Sequence, residues 1–201
     1  GVQTCALPIL DYLPEGIDLD QEGIFSDRCA KYIGKLMYLH RGSRFDITQV
    51  VARESRYLTK WKKLDDAKLH RLMQYLDNHL EYAAVAVVDS RDLGSVRYEM
   101  YVDADHAGKV MDSKSTGGAF HVLVGDNGTW FPLEWASKKQ GVTAHSSAES
   151  ELVALCDHTK IGLKHYEVTD ALSRYDKEKK TTPQQFVARD DSSACIGAVT
   201  R

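Results

Sequence analysis

The sequence predicts an α/β protein, a mixed sheet with helices packed on it, preceded by a helical segment. Three observations carry this. Apolar residues recur at helical spacing from Asp27 to about Leu80, and the period shortens to two after Tyr82. From there the predicted elements run β-β-β-α-β-α, an order that needs helices laid against a sheet of mixed direction.

Each element has its own pattern. Tyr32, Leu36 and Leu39 mark one helix, and Ile47, Val50, Val51 and Leu58 recur less regularly in the next stretch. Leu69, Leu72, Met73, Leu76 and Leu80 form an i, i+3, i+4, i+7 stripe, with Asp65 or Asp66 as its expected N-cap. AAVAVV (83–88) reads as a short buried strand and DSRDLGS as a turn cluster. VRYEMYV alternates, putting Val96, Tyr98, Met100 and Val102 on one face. Strands follow at Ala119–Val124 and Trp130–Trp135, joined by the turn GDNG. A long helix spans Ser147 to Ser173, with Leu152, Leu155, Cys156, Thr159, Leu163 and Tyr166 on its expected stripe. QQFVARDD is a fourth strand leading into a last helix at Ser192.

Bulk composition narrows the function class. The 201 residues are 43% hydrophobic and 27% charged, typical of a globular chain with a real core. A net charge of −3 gives no global attraction to nucleic acid, so any such role needs a local patch. Lys60-Trp61-Lys62-Lys63 with Lys68 and Arg71 is one candidate, though a solvated face explains it as well. Cys5, Cys29, Cys156 and Cys195 show no C-x-x-C spacing, which argues against a zinc ribbon and fits a reducing compartment. No apolar run approaches the roughly 20 residues that span a bilayer, so no membrane partner is expected. Residues 1–9, GVQTCALPI, match the translation of a common sequencing-adapter oligonucleotide and are set aside as non-native.

Three acidic residues sit at element boundaries. Asp103 ends the first alternating strand, Glu151 lies in the first turns of the long helix, and Asp190 ends the fourth strand. Carboxylates converging from separate segments suit Mg²⁺, which prefers oxygen ligands, and two such ions can activate a water against a phosphodiester. Singly, each has an ordinary explanation as a turn former, a helix-dipole partner or an N-cap. Glu149 has a structural role of its own, because Ser146-Ser147-Ala148-Glu149 fits a capping box. That leaves Glu151 free.

YVDADHAG, KSTGGAF, EWASKKQ, TAHSSAESELVAL and ARDDSSACIGA, in this order, resemble the motifs of the ribonuclease H domain in copia-type retrotransposon Pol polyproteins. YIGKLMYLHRGSRFDI and LHRLMQYLDNHLEY are similar to the segment linking reverse transcriptase to that domain. His106 and Phe45 depart from the pattern, standing where the family has Trp and Pro. The resemblance implies a helical reverse transcriptase connection segment over residues 10–93. It implies a ribonuclease H-like domain over 94–201, C-terminally incomplete and short of a fourth carboxylate.

What the resemblance implies for function is cleavage of the RNA strand of an RNA–DNA hybrid. Asp103, Glu151 and Asp190 would be catalytic and would hold two Mg²⁺ ions, with Mn²⁺ as substitute. Lys138 and Lys139 would contact phosphates, and the upstream reverse transcriptase would be a partner. The alternative is a decayed or co-opted nucleic-acid-binding module with the same fold and no catalysis. Either implies an intracellular setting, in a cytoplasmic particle or the nucleus, and a chain that is not secreted.

Overall fold

Local chemistry builds two compact units, Gly1–Ala84 and Val85–Arg201, in the computed structural model. The structure describes residues 9, 13–16, 18, 20–106, 114–175 and 185–199. Residues 85–93, expected with the helical segment, fall in the second unit. Of residues 1–9 only Ile9 is described, and it is buried in the core of the first unit.

In the first unit α1 (Cys29–Gly42) buries Cys29, Ile33 and Leu36, one face at i, i+4, i+7. Two further helices, α2 (Thr48–Glu54) and α3 (Lys63–Asn78), contribute Val50, Val51, Leu69, Leu72 and Leu76 to the same core. Met73 and Leu80, assigned to the α3 stripe by spacing, are exposed. Asp65 is the third residue of α3 rather than its cap, and accepts the Lys62 backbone N–H at 2.9 Å. Asp66 accepts from the Ile24 and Phe25 N–H groups and, at 2.7 Å, from the Trp61 indole, pinning the preceding loop. The basic run is no patch. Trp61 and Lys68 are buried, Lys68 lies 3.7 Å from Glu54, and Lys62 pairs with Asp20.

The second unit is a four-stranded mixed sheet with packed helices. Strands β1 (Arg97–Asp105), β2 (Thr116–Val124) and β3 (Trp130–Lys139) form an antiparallel meander. A long helix, α4 (Ser147–Tyr175), crosses back so that β4 (Phe186–Arg189) lies parallel to β1, giving the order β3-β2-β1-β4. A short helix, α5 (Ser193–Val199), follows. Residues 83–88 form no strand: Val85, Val87 and Val88 are exposed, and Val87 makes a single bridge to Trp130. The run is apolar, but no second sheet face covers it, so hydrophobicity alone misled.

Tyr98, Met100 and Val102 alternate inward from β1 and are buried against α4 with Ala104, Ala119 and Ala154. Leu155 and Tyr166 of the expected α4 stripe pack partly buried against this core, but the fully buried face of the helix carries other residues. Glu151, Ala154 and His158 are buried, whereas Leu163 is 47% exposed and Cys156 is exposed. Small residues set this approach. A Cβ on Gly117 would lie 3.1 Å from the Ala154 Cβ, and one on Gly162 would lie 3.1 Å from the Phe186 ring. On the opposite sheet face Glu99 is buried and accepts from Arg189 at 2.6 Å and from the Tyr101 hydroxyl at 2.8 Å. Arg189, opposed by burial, holds this carboxyl down at about 2 and ties the short β4 to β1. Asp92, which precedes β1, accepts from the Asn127 and Thr129 N–H groups of the β2–β3 turn, where Gly125 has no room for a Cβ beside it.

Gly117→Val should therefore push α4 off the sheet. The expected cost is about 1–3 kcal/mol, the usual range for overpacking, read as a lower urea midpoint. An unchanged midpoint would show that the close approach at Ala154 does not seat the helix.

Candidate metal centre

Three segments meet at one end of the sheet because β1 and β4 run parallel and α4 begins beside them. Asp103 is the seventh residue of β1 and is paired with Gly118, so only hydrogen crowds it from β2. Ser146 caps α4 by accepting the Glu149 N–H at 3.1 Å, and Glu149 reaches back to the His145 N–H at 2.7 Å. With Glu149 so engaged and exposed, Glu151 faces inward at 5% exposure. Asp190 follows β4, and its Oδ1 accepts the Ser192 N–H at 2.8 Å. Ser192 in turn caps α5 through the Cys195 N–H.

Carboxylate oxygens of Asp103, Glu151 and Asp191 lie within 4.8 Å of one another. Asp190 is close enough for its charge to be felt by both Asp103 and Glu151. The group placed to share a cation is therefore Asp103, Glu151 and Asp191, with Asp191 standing where Asp190 was expected and Asp190 beside it. Asp191 was the residue that motif reasoning passed over. Its signal was the parallel register, in which Tyr101 stands beside Arg189. Counting two residues onward puts Asp191 level with Asp103, on the same alternation.

The electrostatics are those of a site lacking countercharge. Burial, then the charges of Asp103, Asp190 and Asp191, push the Glu151 carboxyl up to about 7, with the Ala104 backbone N–H pulling the other way. Asp103 is raised by burial and then by Asp191. Glu151 Oε2 and Asp190 Oδ2 are both buried without a hydrogen-bond partner. The Cys195 thiol, buried against Asp190, is pushed up to about 11 by burial. Among the described residues this is the one group of three or more His, Cys, Asp or Glu side chains placed to share a cation. A hard, oxygen-liganded ion fits this donor set, since it would meet the orphaned oxygens and offset the repulsion.

The remaining candidates lie around it. Asp105 is exposed and adds to the charge on Asp103. His106 is half-buried, with Nδ1 lacking a partner. Lys138 and Lys139 are at the same end of the sheet, opposite Gly117 and Thr116, with Lys138 exposed. They alternate, so only Lys139 shares the Asp103 face. Strand β2 separates both from the carboxylates.

No protein-family model matches the chain. A curated relative does: secreted RxLR effector protein 161 of Plasmopara viticola is 30% identical over 128 residues, 64% of this chain and 84% of that protein. This finding corrects the assignment drawn from motif resemblance. A retrotransposon Pol fragment with ribonuclease H activity, or its co-opted nucleic-acid-binding counterpart, is not what the chain matches. The expectation of an intracellular, non-secreted protein conflicts with a relative that is a secreted effector. The motifs misled for a physical reason, because much of what they encode is local packing. Gly117 of KSTGGAF admits Ala154, Ser146 and Glu149 of TAHSSAESELVAL cap α4, and Ser192 of ARDDSSACIGA caps α5. Any strand–helix junction of this geometry asks for such residues. By the extent of its match, the chain belongs to the family of secreted RxLR effector protein 161.

Proposed function

We propose that this chain is a secreted effector domain whose working part is a divalent-cation site formed by Asp103, Glu151, Asp190 and Asp191. The ligand would be Mg²⁺, with Mn²⁺ as substitute, and the substrate a phosphodiester. One observation carries the reading: Glu151 Oε2 is buried, unpartnered and surrounded by like charge. Structural carboxylates are satisfied by N–H groups or cations, as Glu99 is by Arg189. Glu151 is not.

Asp103, Glu151 and Asp191 would hold a first ion, and Asp190 beside them would be the further ligand for a second. Bound Mg²⁺ supplies positive charge at the phosphate oxygens and lowers the cost of deprotonating a water. The protein's own part is to hold the ligands. Asp103 contributes from a rigid strand, Asp190 is fixed through the Ser192 N–H, and Glu151 is held inward by the α4 cap. A carboxyl raised to about 7 also lets Glu151 carry a proton when no cation is present. Lys139, on the Asp103 face, would meet a phosphate flanking the scissile one, whereas Lys138 lies on the other face. A ribonuclease H-like arrangement is compatible with the sheet and helices without being specific to them, and is the finer fold reading attached to this proposal.

Titration calorimetry with Mn²⁺ should detect binding by the wild type and its loss in Asp103→Asn; identical isotherms would sink the site. Incubation of labelled RNA, DNA and mixed duplexes with Mg²⁺ should give scission that Asp103→Asn abolishes. Cation binding with every substrate intact would overturn the hydrolytic part and leave the site.

The two glutamates should separate cleanly. Glu149→Gln should cost at most about 1 kcal/mol, since an amide still serves the cap. Glu151→Gln should stabilise the cation-free protein at pH 8 by about 1–2 kcal/mol. The sign follows from a folded pKa above the unfolded one: the stability of the protonated form is present at acid pH and lost as pH rises through about 7. The gain should vanish at pH 4.5. A loss of stability from Glu151→Gln at pH 8 would mean that its charge is already compensated.

A further inference from the structure

Away from the carboxylates, three histidines lie between α4 and the sheet. His121 of β2 is fully buried, with Nδ1 2.8 Å from the Tyr98 hydroxyl of β1. The rings of His158 and His165, from α4, stand 5.9 Å from the His121 ring, the latter stacked at 14°. His165 Nε2 meets Glu134 of β3 at 2.7 Å. His158 is 4% exposed. Two ring nitrogens in this layer, His121 Nε2 and His158 Nδ1, are buried without a partner. Their spacing is not that of a metal site, because no three of these groups bring ligand atoms within 4.8 Å.

The arrangement has a different consequence. We propose that this cluster is an acid-sensitive latch, in which the cost of charging His121 and His158 as the solution is acidified loosens α4, the carrier of Glu151, from the sheet. A proton on His165 is met by Glu134. A proton on His121 has only Tyr98, a neutral hydroxyl, and two other histidines facing it. His158 feels Asp157 of its own helix and Glu134 of β3 in its favour, and Lys138 of β3 against it. From β4 the facing side chain is Phe186, which carries no charge and stacks on Tyr98 at 5.2 Å. The layer contains no carboxylate within hydrogen-bond reach of either orphaned nitrogen. Charging two buried rings about 6 Å apart adds mutual repulsion to lost hydration.

The titration agrees with the geometry. Burial, then His158 and His165, hold His121 down at about 4, and burial lowers His158 as well. A histidine depressed in the folded state stabilises it above the unfolded pKa of about 6.5. That contribution is lost as pH falls toward 4. Glu151 changes in the opposite sense over part of this range, so the test must isolate the histidine.

The experiment is urea unfolding of the full chain, wild type and His121→Gln, from pH 8 to 4.5. Glutamine keeps a hydrogen-bonding group for Tyr98 but cannot charge. The wild-type unfolding constant should rise roughly fifty- to a hundredfold more than the variant's across that interval. Parallel pH profiles would overturn the proposal. Should His121→Gln not fold, proton NMR of the wild-type histidine rings decides: a His121 resonance still neutral at pH 5.5 supports the latch. A resonance titrating near 6.5 overturns it. Neither readout involves a cation, so the latch and the carboxylate site stand or fall separately.

Discussion

The close seating of α4 against the sheet is the constraint on which the second unit depends. It is made by absent side chains: Gly117 admits Ala154 and Gly162 admits Phe186. One helical turn before Ala154 is Glu151, and one turn after it is His158. The same contact therefore carries a carboxylate into the cluster at one end and a histidine into the buried layer at the other. A helix held farther off by large apolar residues would leave both groups in water. Their ionisation would then be ordinary.

Two kinds of carboxylate result, and the protein treats them differently. Glu99 is compensated by Arg189 and Tyr101, which makes it a structural carboxylate that secures β4. Asp103, Glu151, Asp190 and Asp191 repel one another with little nearby to offset them beyond the backbone N–H groups of Ala104 and Ser192. Asp103 and Asp191 are exposed and Asp190 is half-buried, so the cost falls on Glu151, whose buried Oε2 has no partner to offset its charge. That asymmetry between a compensated Glu99 and an uncompensated Glu151 is the argument for a cation. Membership of a secreted effector family says nothing on this point, and the cluster says nothing on secretion.

Much of the fold was legible in the sequence because its signals are local. The alternation of Tyr98, Met100 and Val102, the GDNG turn and the Ser146 cap each follow from a few adjacent residues. The site was legible in part, since strand ends and helix starts placed Asp103, Glu151 and Asp190 at boundaries. Asp191 was not, because its position depends on the parallel pairing of β4 with β1, in which Tyr101 meets Arg189, 88 residues on. The buried face of α4 was read in part: Leu155 and Tyr166 do pack on the core, but the closest approach is through Ala154 and Gly162, which apolar size does not mark. Residues 83–88 show the converse, an apolar run that no neighbouring strand takes up. Family membership was read from short motifs whose residues serve caps and close contacts, and the longer match to a secreted effector corrected it.

The central claim is that the carboxylate cluster exists to hold a divalent cation, and the ionisation of Glu151 reports on it most directly. Carbon NMR of the Glu151 carboxyl, titrated with and without Mg²⁺, is the measurement. The account predicts a carboxyl that takes up its proton at about 7 without cation and remains ionised at least about two units lower with it. A Glu151 titration that Mg²⁺ leaves in place would contradict the account.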